Sequence, residues 1–240
     1  MNIYIQNLKK SFREWRQKNL FNLVNIKQSF HRGFEKSYYS QSGEDVILEK
    51  LFAHKKNGIY IDVGAYHPLH YSNTYLLYKK GWHGINIDPN PESIKLFGEK
   101  RKRDINIHTG ILATERNAPY YVFNHQSCNT FSESHKKEIE QTSYAELIRT
   151  DIVRCAPLST ILKQYLPTSK PIDLLTIDVE GHDIDVLKSH NWEAYPPGVI
   201  VVEDISFTVE HPEKSAVYTL LHKKGYMLYA YTGLSCIFIK

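Results

Sequence analysis

Cysteine is sparse: Cys128, Cys155 and Cys236 are odd in number, scattered, and include no Cys-x-x-Cys pair. That excludes a disulfide framework and gives no zinc site, so a reducing cytoplasm is expected. No window approaches the roughly 18 consecutive apolar residues of a spanning helix. The first twenty residues include Lys9, Lys10, Arg13, Glu14, Arg16 and Lys18 and have neither an apolar core nor a small-residue cleavage site, so a secretory signal is not expected. Excess charge is missing from most of the chain as well. Lys and Arg outnumber Asp and Glu by 30 to 26, but residues 1–36 hold eight basic and two acidic side chains, leaving 22 against 24 in the rest. A near-neutral body without a basic stripe argues against nucleic acid as a partner. Repeats and low-complexity tracts are absent.

The most informative shortage is of glycine in one loop. The apolar run Ile59-Tyr60-Ile61 leads into Asp62-Val63-Gly64-Ala65, and the chain continues Tyr66-His67-Pro68-Leu69 where a dinucleotide fingerprint would place two more glycines. Tyr66 would block the approach of pyrophosphate to bare backbone, and the Asp62 carboxylate would repel it. The same carboxylate suits a cofactor bearing an ammonium and a sulfonium, which points to S-adenosylmethionine. One βα unit later, Ile85-Asn86-Ile87-Asp88 delivers a second acid where a ribose diol would sit. Two plainer readings stand beside these: Asp-x-Gly is common punctuation after strands, and Asp88, followed by Pro89-Asn90-Pro91-Glu92, could cap a helix.

From Tyr38 onward, short apolar runs alternate with helical patterns, which is the α/β signature. Strands are expected at 59–63, 84–88, 105–110, 172–178 and 198–203. Helices fit 44–53, 72–80, 91–102, 133–148, 158–166, 182–190 and 213–224. Residues 226–231 and 235–239 form two runs about a turn at Gly233, an antiparallel hairpin finishing a parallel sheet. A long insert, about 112–170, holds the strand-like Tyr120-Tyr121-Val122-Phe123 and a polar loop from His125 to Ser134; long loops in compact domains tend to carry function. Residues 1–36 read as a basic amphipathic arm, with Ile5, Leu8, Phe12 and Trp15 on one helical face. Packing onto the 37–240 domain or a second copy is favoured over contact with an anionic membrane surface. Seventeen tyrosines pack with wet tips or line a sugar-binding surface.

Two acidic clusters follow apolar strands, Asp178-Val179-Glu180-Gly181-His182 and Glu203-Asp204. In an open parallel sheet these face the same crevice as Asp62 and Asp88. Like charges crowded together call for something positive, so Asp178, Glu203 and Asp204 are candidate ligands for a hard ion such as Mg²⁺ or Ca²⁺, which would acidify a sugar hydroxyl. His182 or Glu180 is the candidate base, histidine matching neutral pH better. His182 could equally be an ordinary residue at a helix start, and Glu203-Asp204 a solvated strand end.

Several blocks together resemble the FkbM-type methyltransferases: Ser40-Gln41-Ser42-Gly43-Glu44-Asp45, Ile61 to Pro68, Tyr71-Ser72-Asn73-Thr74-Tyr75-Leu76, Gly81 to Asp88, Asn129-Thr130-Phe131-Ser132, and Ile177 to His182. The resemblance spans residues 40 to about 204. It implies a Rossmann-like class I methyltransferase with a mostly parallel seven-stranded sheet, using S-adenosylmethionine to methylate a hydroxyl of a sugar or polyketide-derived compound, often in bacterial surface polysaccharide synthesis. By the same resemblance Asp62, Gly64, Ala65 and Tyr66 form the cofactor loop, Asp88 is the ribose acid, Asn73 starts a helix facing the methionine carboxylate, and Gln41 and Glu44 belong to a pre-strand motif. Asp178, Glu203 and Asp204 are also similar to the metal-ligand pattern of Mg²⁺-dependent macrolide and aminocoumarin sugar O-methyltransferases. The expected acceptor is a sugar, nucleotide sugar or glycan. The rivals are a metal-independent N- or carboxyl-methyltransferase and a cofactor-binding scaffold that does not catalyse.

Overall fold

The computed structural model describes residues 36–142, 144–167 and 170–240. The chain divides into Met1–Ser37 and Tyr38–Lys240; the amphipathic stripe proposed for the arm lies outside the described residues.

Seven strands form the main sheet of the second unit: β1 (Ile59–Val63), β2 (His83–Asp88), β3 (Ile105–His108), β7 (Ile172–Ile177), β8 (Pro197–Glu203), β9 (Met227–Tyr231) and β10 (Ser235–Ile239). Their order is β3-β2-β1-β7-β8-β10-β9. All neighbours are parallel except β10, which runs antiparallel to both β8 and β9. This is the expected Rossmann-like α/β sheet with its terminal hairpin. The order reverses between β1 and β7, so the crevice outside their carboxyl ends is where such sheets bind ligands.

The strands are apolar on both faces because helices cover both. On one face Ile61, Val63, Ile85, Ile87, Leu175, Ile177 and Ile200 pack with Leu158, Leu162, Val186, Leu187 and Leu221. These last come from helices α5 (Leu158–Tyr165), α6 (Asp183–Ser189) and α7 (Ala216–Lys223). On the other face Tyr60, Leu174, Val199, Val201 and Ile237 pack with Leu48 and Leu77 from α1 (Glu44–Leu51) and α2 (Tyr75–Lys79). Helix α3 (Pro91–Lys100) connects β2 to β3.

The insert differs most from expectation. Helix α4 covers Glu133–Thr142 and stops there, and residues 147–156 form a strand, β6 (Leu147–Ala156), that the helical reading of 133–148 ran into. The Thr142 hydroxyl turns back onto the Ile139 carbonyl (2.9 Å), and Ile139 is the one buried side chain of the helix, too little apolar surface to carry it further. β6 pairs antiparallel with β5 (Arg116–Phe123), from Arg116 opposite Cys155 to Phe123 opposite Leu147. With the short β4 (Gly110–Ile111) they form a second sheet in the order β4-β6-β5.

Candidate active site

A cleft of about 220 Å³ opens at the carboxyl ends of β1, β2 and β7, where the strand order reverses. Asp62, near the tip of β1, is buried and accepts the Thr74 hydroxyl (2.7 Å). Burial pushes its carboxyl up to about 6, with the Thr74 hydrogen bond opposing. Gly64 turns at φ 77°, and a Cβ there would lie 1.7 Å from the Asp178 carbonyl oxygen. Only glycine lets β1 leave the sheet this close to β7.

Asp88 ends β2. Its Oδ2 accepts the Tyr66 N–H and its Oδ1 the Asn90 N–H, both at 2.8 Å. Burial raises this carboxyl to about 6 as well, against those two bonds. The helix cap is Asn90, which accepts the Glu92 N–H (3.0 Å), so Asp88 orders the turn and keeps a lone pair on each oxygen for a diol. Gln41, Ala65 and Tyr66 line the cleft, and Asn90, Ser93, Thr109, Ile111 and Tyr120 join them.

One expected placement changes, that of Asn73. Helix α2 begins at Tyr75 with Thr74 before it, so Asn73 does not start it; the Asn73 amide instead donates to the Thr176 hydroxyl on β7 (3.0 Å), tying the loop to the sheet while still lining the cleft. Glu44 lies outside the cleft wall. It is buried, accepting the Ser42 N–H (2.9 Å) and the Thr232 hydroxyl (3.0 Å), and clasps the pre-strand motif to the hairpin.

Arg101 is a functional residue the sequence reading missed. Fully buried, it donates to the Pro68 carbonyl (2.8 Å) and to the hydroxyls of Ser72 (2.9 Å), Tyr60 (3.1 Å) and Thr74 (3.3 Å). One guanidinium thereby fixes the loop that carries Asp62's hydrogen-bond donor.

Asp178, Glu180 and His182 all line the cleft just beyond β7. His182 Nδ1 lies 3.2 Å from Asp185 Oδ2, while its Nε2 is buried without a protein partner. An aspartate at Nδ1 fixes the tautomer that leaves Nε2 as an acceptor. Glu180 holds φ 51°; its carbonyl accepts the Thr130 hydroxyl (2.7 Å) and its carboxylate stands 3.5 Å from His135 Nε2. Burial and then Glu203 raise Asp178 well above the carboxylate range, and burial and then Glu180 bring Glu203 to about 8.

The side chain that faces this acidic crowd from the insert is His135, 3.5 Å from the Glu180 carboxylate. Hydrogen bonding to Glu180 raises its pKa above 6.5, and its charge acts in turn on Glu203. The expected metal set of Asp178, Glu203 and Asp204 is not assembled. Asp204 is buried, and its carboxylate takes the hydroxyls of Ser206 (2.7 Å) and Ser215, anchoring the loop after β8 to the start of α7. Among the described residues no three His, Cys, Asp or Glu side chains converge on a point where an ion would sit, so these residues do not fit the Mg²⁺ expected of them. The insert supplies further cleft wall through Gln126, Ser127, Asn129, Thr130, Phe131 and Tyr144. The polar loop from His125 to Ser134 was the sequence signal for all of these but Tyr144, which fell within the stretch read as a helix over 133–148.

A first loop with no glycine after Gly64, a ribose-ready acid on β2 and a wall that among the described residues holds no lysine or arginine suit an adenosyl cofactor with net positive charge. The class is that of Rossmann-like methyl-transferring enzymes. The family model described as the methyltransferase FkbM domain matches residues 62–228, and the chain belongs to that family. It is an S-adenosylmethionine-dependent methyltransferase. No curated protein sequence matches the chain. Among solved structures, it is similar to an O-methyltransferase from Bacillus cereus in complex with SAH, at 10% identity over 91% of this chain and 90% of that one, TM-score 0.37. A protein assigned as an O-methyltransferase from Klebsiella pneumoniae gives 10% identity over 90% and 86%, TM-score 0.39. One assigned as a caffeoyl-CoA O-methyltransferase from Staphylococcus aureus gives 14% over 94% and 99%, TM-score 0.38. Likeness this low leaves the fold to be read from the strand order.

Proposed function

We propose that the protein methylates a hydroxyl group of a sugar or glycan precursor, in surface polysaccharide or glycosylated-metabolite synthesis. The observation that carries the reading is the Asp185–His182 pair, whose buried Nε2 has no protein partner. An alcohol must lose its proton to become a good nucleophile, and a neutral imidazole oriented by a carboxylate is the side chain suited to accept it near neutral pH. When bound, S-adenosylmethionine supplies a methyl group on a sulfonium.

The chain's part is to hold and to deprotonate. Asp88 takes the ribose diol through its two free lone pairs, with Asn90, Ser93, Thr109 and Ile111 around it. Tyr66 keeps its N–H on Asp88, coupling the first loop to the ribose acid. The acceptor hydroxyl lies at His182 Nε2, which takes its proton as the new C–O bond forms; Asp185 stabilises the imidazolium. His135 holds Glu180 in place, and proximity within the cleft supplies much of the rate. Among the described residues no helix is long and apolar enough to cross a membrane.

The test is transfer of tritium from S-adenosyl-[methyl-³H]methionine to glycan acceptors, followed by alkaline treatment that cleaves methyl esters but leaves methyl ethers. His182→Ala is expected to lose about 10²- to 10⁴-fold in turnover, the range of a general base, while S-adenosylhomocysteine binds as before. Label released by alkali, or full turnover in the variant, would contradict the reading.

A further inference from the structure

Among the described residues the non-glycine positions at positive φ are Tyr66 (55°), Tyr71 (51°) and Glu180 (51°), and all three line the same cleft. An L side chain persists in that backbone region only where its surroundings over-determine it, and such residues gather at binding sites. Tyr66 and Tyr71 have ring centres 6.2 Å apart, and Tyr71 stays 61% exposed. The insert brings Tyr144 to the cleft as well, 66% exposed and stacked on His125 at 5.5 Å. Exposed aromatic faces from two separate elements border one cleft that also holds the Gln126 amide and the Ser127 hydroxyl.

The charge of that wall restricts what can enter. Asp62, Asp88, Asp178 and Glu180 line it, and among the described residues no lysine or arginine does. The first loop offers no free backbone donors, because the Gly64 and Ala65 N–H groups are bonded to the Ile87 carbonyl (2.9 and 3.1 Å) and that of Tyr66 to Asp88. A phosphate in this cleft would meet carboxylates and neutral donors, with no lysine or arginine among the described residues to offset its charge. A pyranose ring meets what it needs, aromatic faces for its C–H side and amide, hydroxyl and carboxylate groups for its rim.

We propose that the acceptor subsite binds the ring of an uncharged sugar against Tyr71 and Tyr144, so that the substrate is a neutral glycan and not a nucleotide sugar or sugar phosphate. This rests on the sugar-hydroxyl reading above and narrows its substrate class.

The experiment titrates the full chain, saturated with S-adenosylhomocysteine, with methyl α-glycosides of glucose, galactose, mannose and rhamnose and with the corresponding sugar 1-phosphates, followed by saturation-transfer NMR. At least one glycoside is expected to bind, with its 1-phosphate about tenfold or more weaker, as like-charge repulsion requires. Tyr71→Ala should weaken the glycoside about tenfold, the loss of one stacking face, with the cofactor product bound as before and Tyr71→Phe close to wild type. Equal or tighter binding of the phosphates, or no glycoside contact in the presence of bound S-adenosylhomocysteine, overturns the proposal. So does a Tyr71→Ala variant that loses S-adenosylhomocysteine and keeps the sugar. Glycoside binding without any methyl transfer to it would keep the subsite and remove the O-methylation reading instead.

Discussion

Asp62 and Asp88 work at a cost to the free protein. Each is buried at a strand tip, and burial raises each carboxyl to about 6. An acid harder to ionise folded than unfolded contributes stability that is fully present below its unfolded value of 3.8 and is lost as pH rises through about 6. Asp62→Asn keeps an oxygen for the Thr74 hydroxyl and has no charge to bury. The variant is expected to gain up to about 3 kcal/mol over wild type at pH 8, the equivalent of a two-unit shift, and to lose that gain toward pH 4. Urea unfolding at both pH values checks it; a gain independent of pH would contradict the burial argument. These acids were legible in the sequence because each ends an apolar run and is followed by turn residues. Arg101 was not, because a basic residue closing a helix reads as solvated, and its partners Tyr60, Pro68, Ser72 and Thr74 come from distant parts of the chain.

At the scale of elements the insert decides the acceptor side. Sequence periodicity carried a helix to residue 148, yet α4 ends at Thr142 and the chain turns into β6. Exposed Ile148 and Ile152 on β6 left no clean apolar alternation to read. The metal expectation goes unmet among the described residues for a related reason: three carboxylates adjacent to strand ends look convergent in a sequence, but Asp204 is turned onto Ser206 and Ser215 and the imidazole beside Glu180 arrives from α4. His135, raised above its ordinary 6.5 by Glu180, contributes stability that is fully present below 6.5 and is lost as pH rises through its folded value. His135→Gln is therefore expected to lower the melting temperature at pH 6 and to leave it close to wild type at pH 9. An equal loss at both pH values would reduce His135 to packing.

For the whole molecule, the architecture was legible because a doubly wound sheet needs two apolar faces on each central strand, and the runs ending at Val63, Ile87, Ile177 and Val202 supply them. The reversal between β1 and β7 then places the acids of four strand ends near one another, which no single motif shows. Pairing between distant segments, such as β4 with β6 and β5 with β6, leaves no local signal. The central claim is that this reversal point holds an adenosyl cofactor through Asp88. Isothermal titration of the full chain with S-adenosylhomocysteine tests it most directly. The account predicts one site of micromolar affinity, weakened by about 1 to 3 kcal/mol in Asp88→Ala, the scale of lost hydrogen bonds to a charged group; binding unchanged in that variant, or no binding to folded wild type, would contradict it.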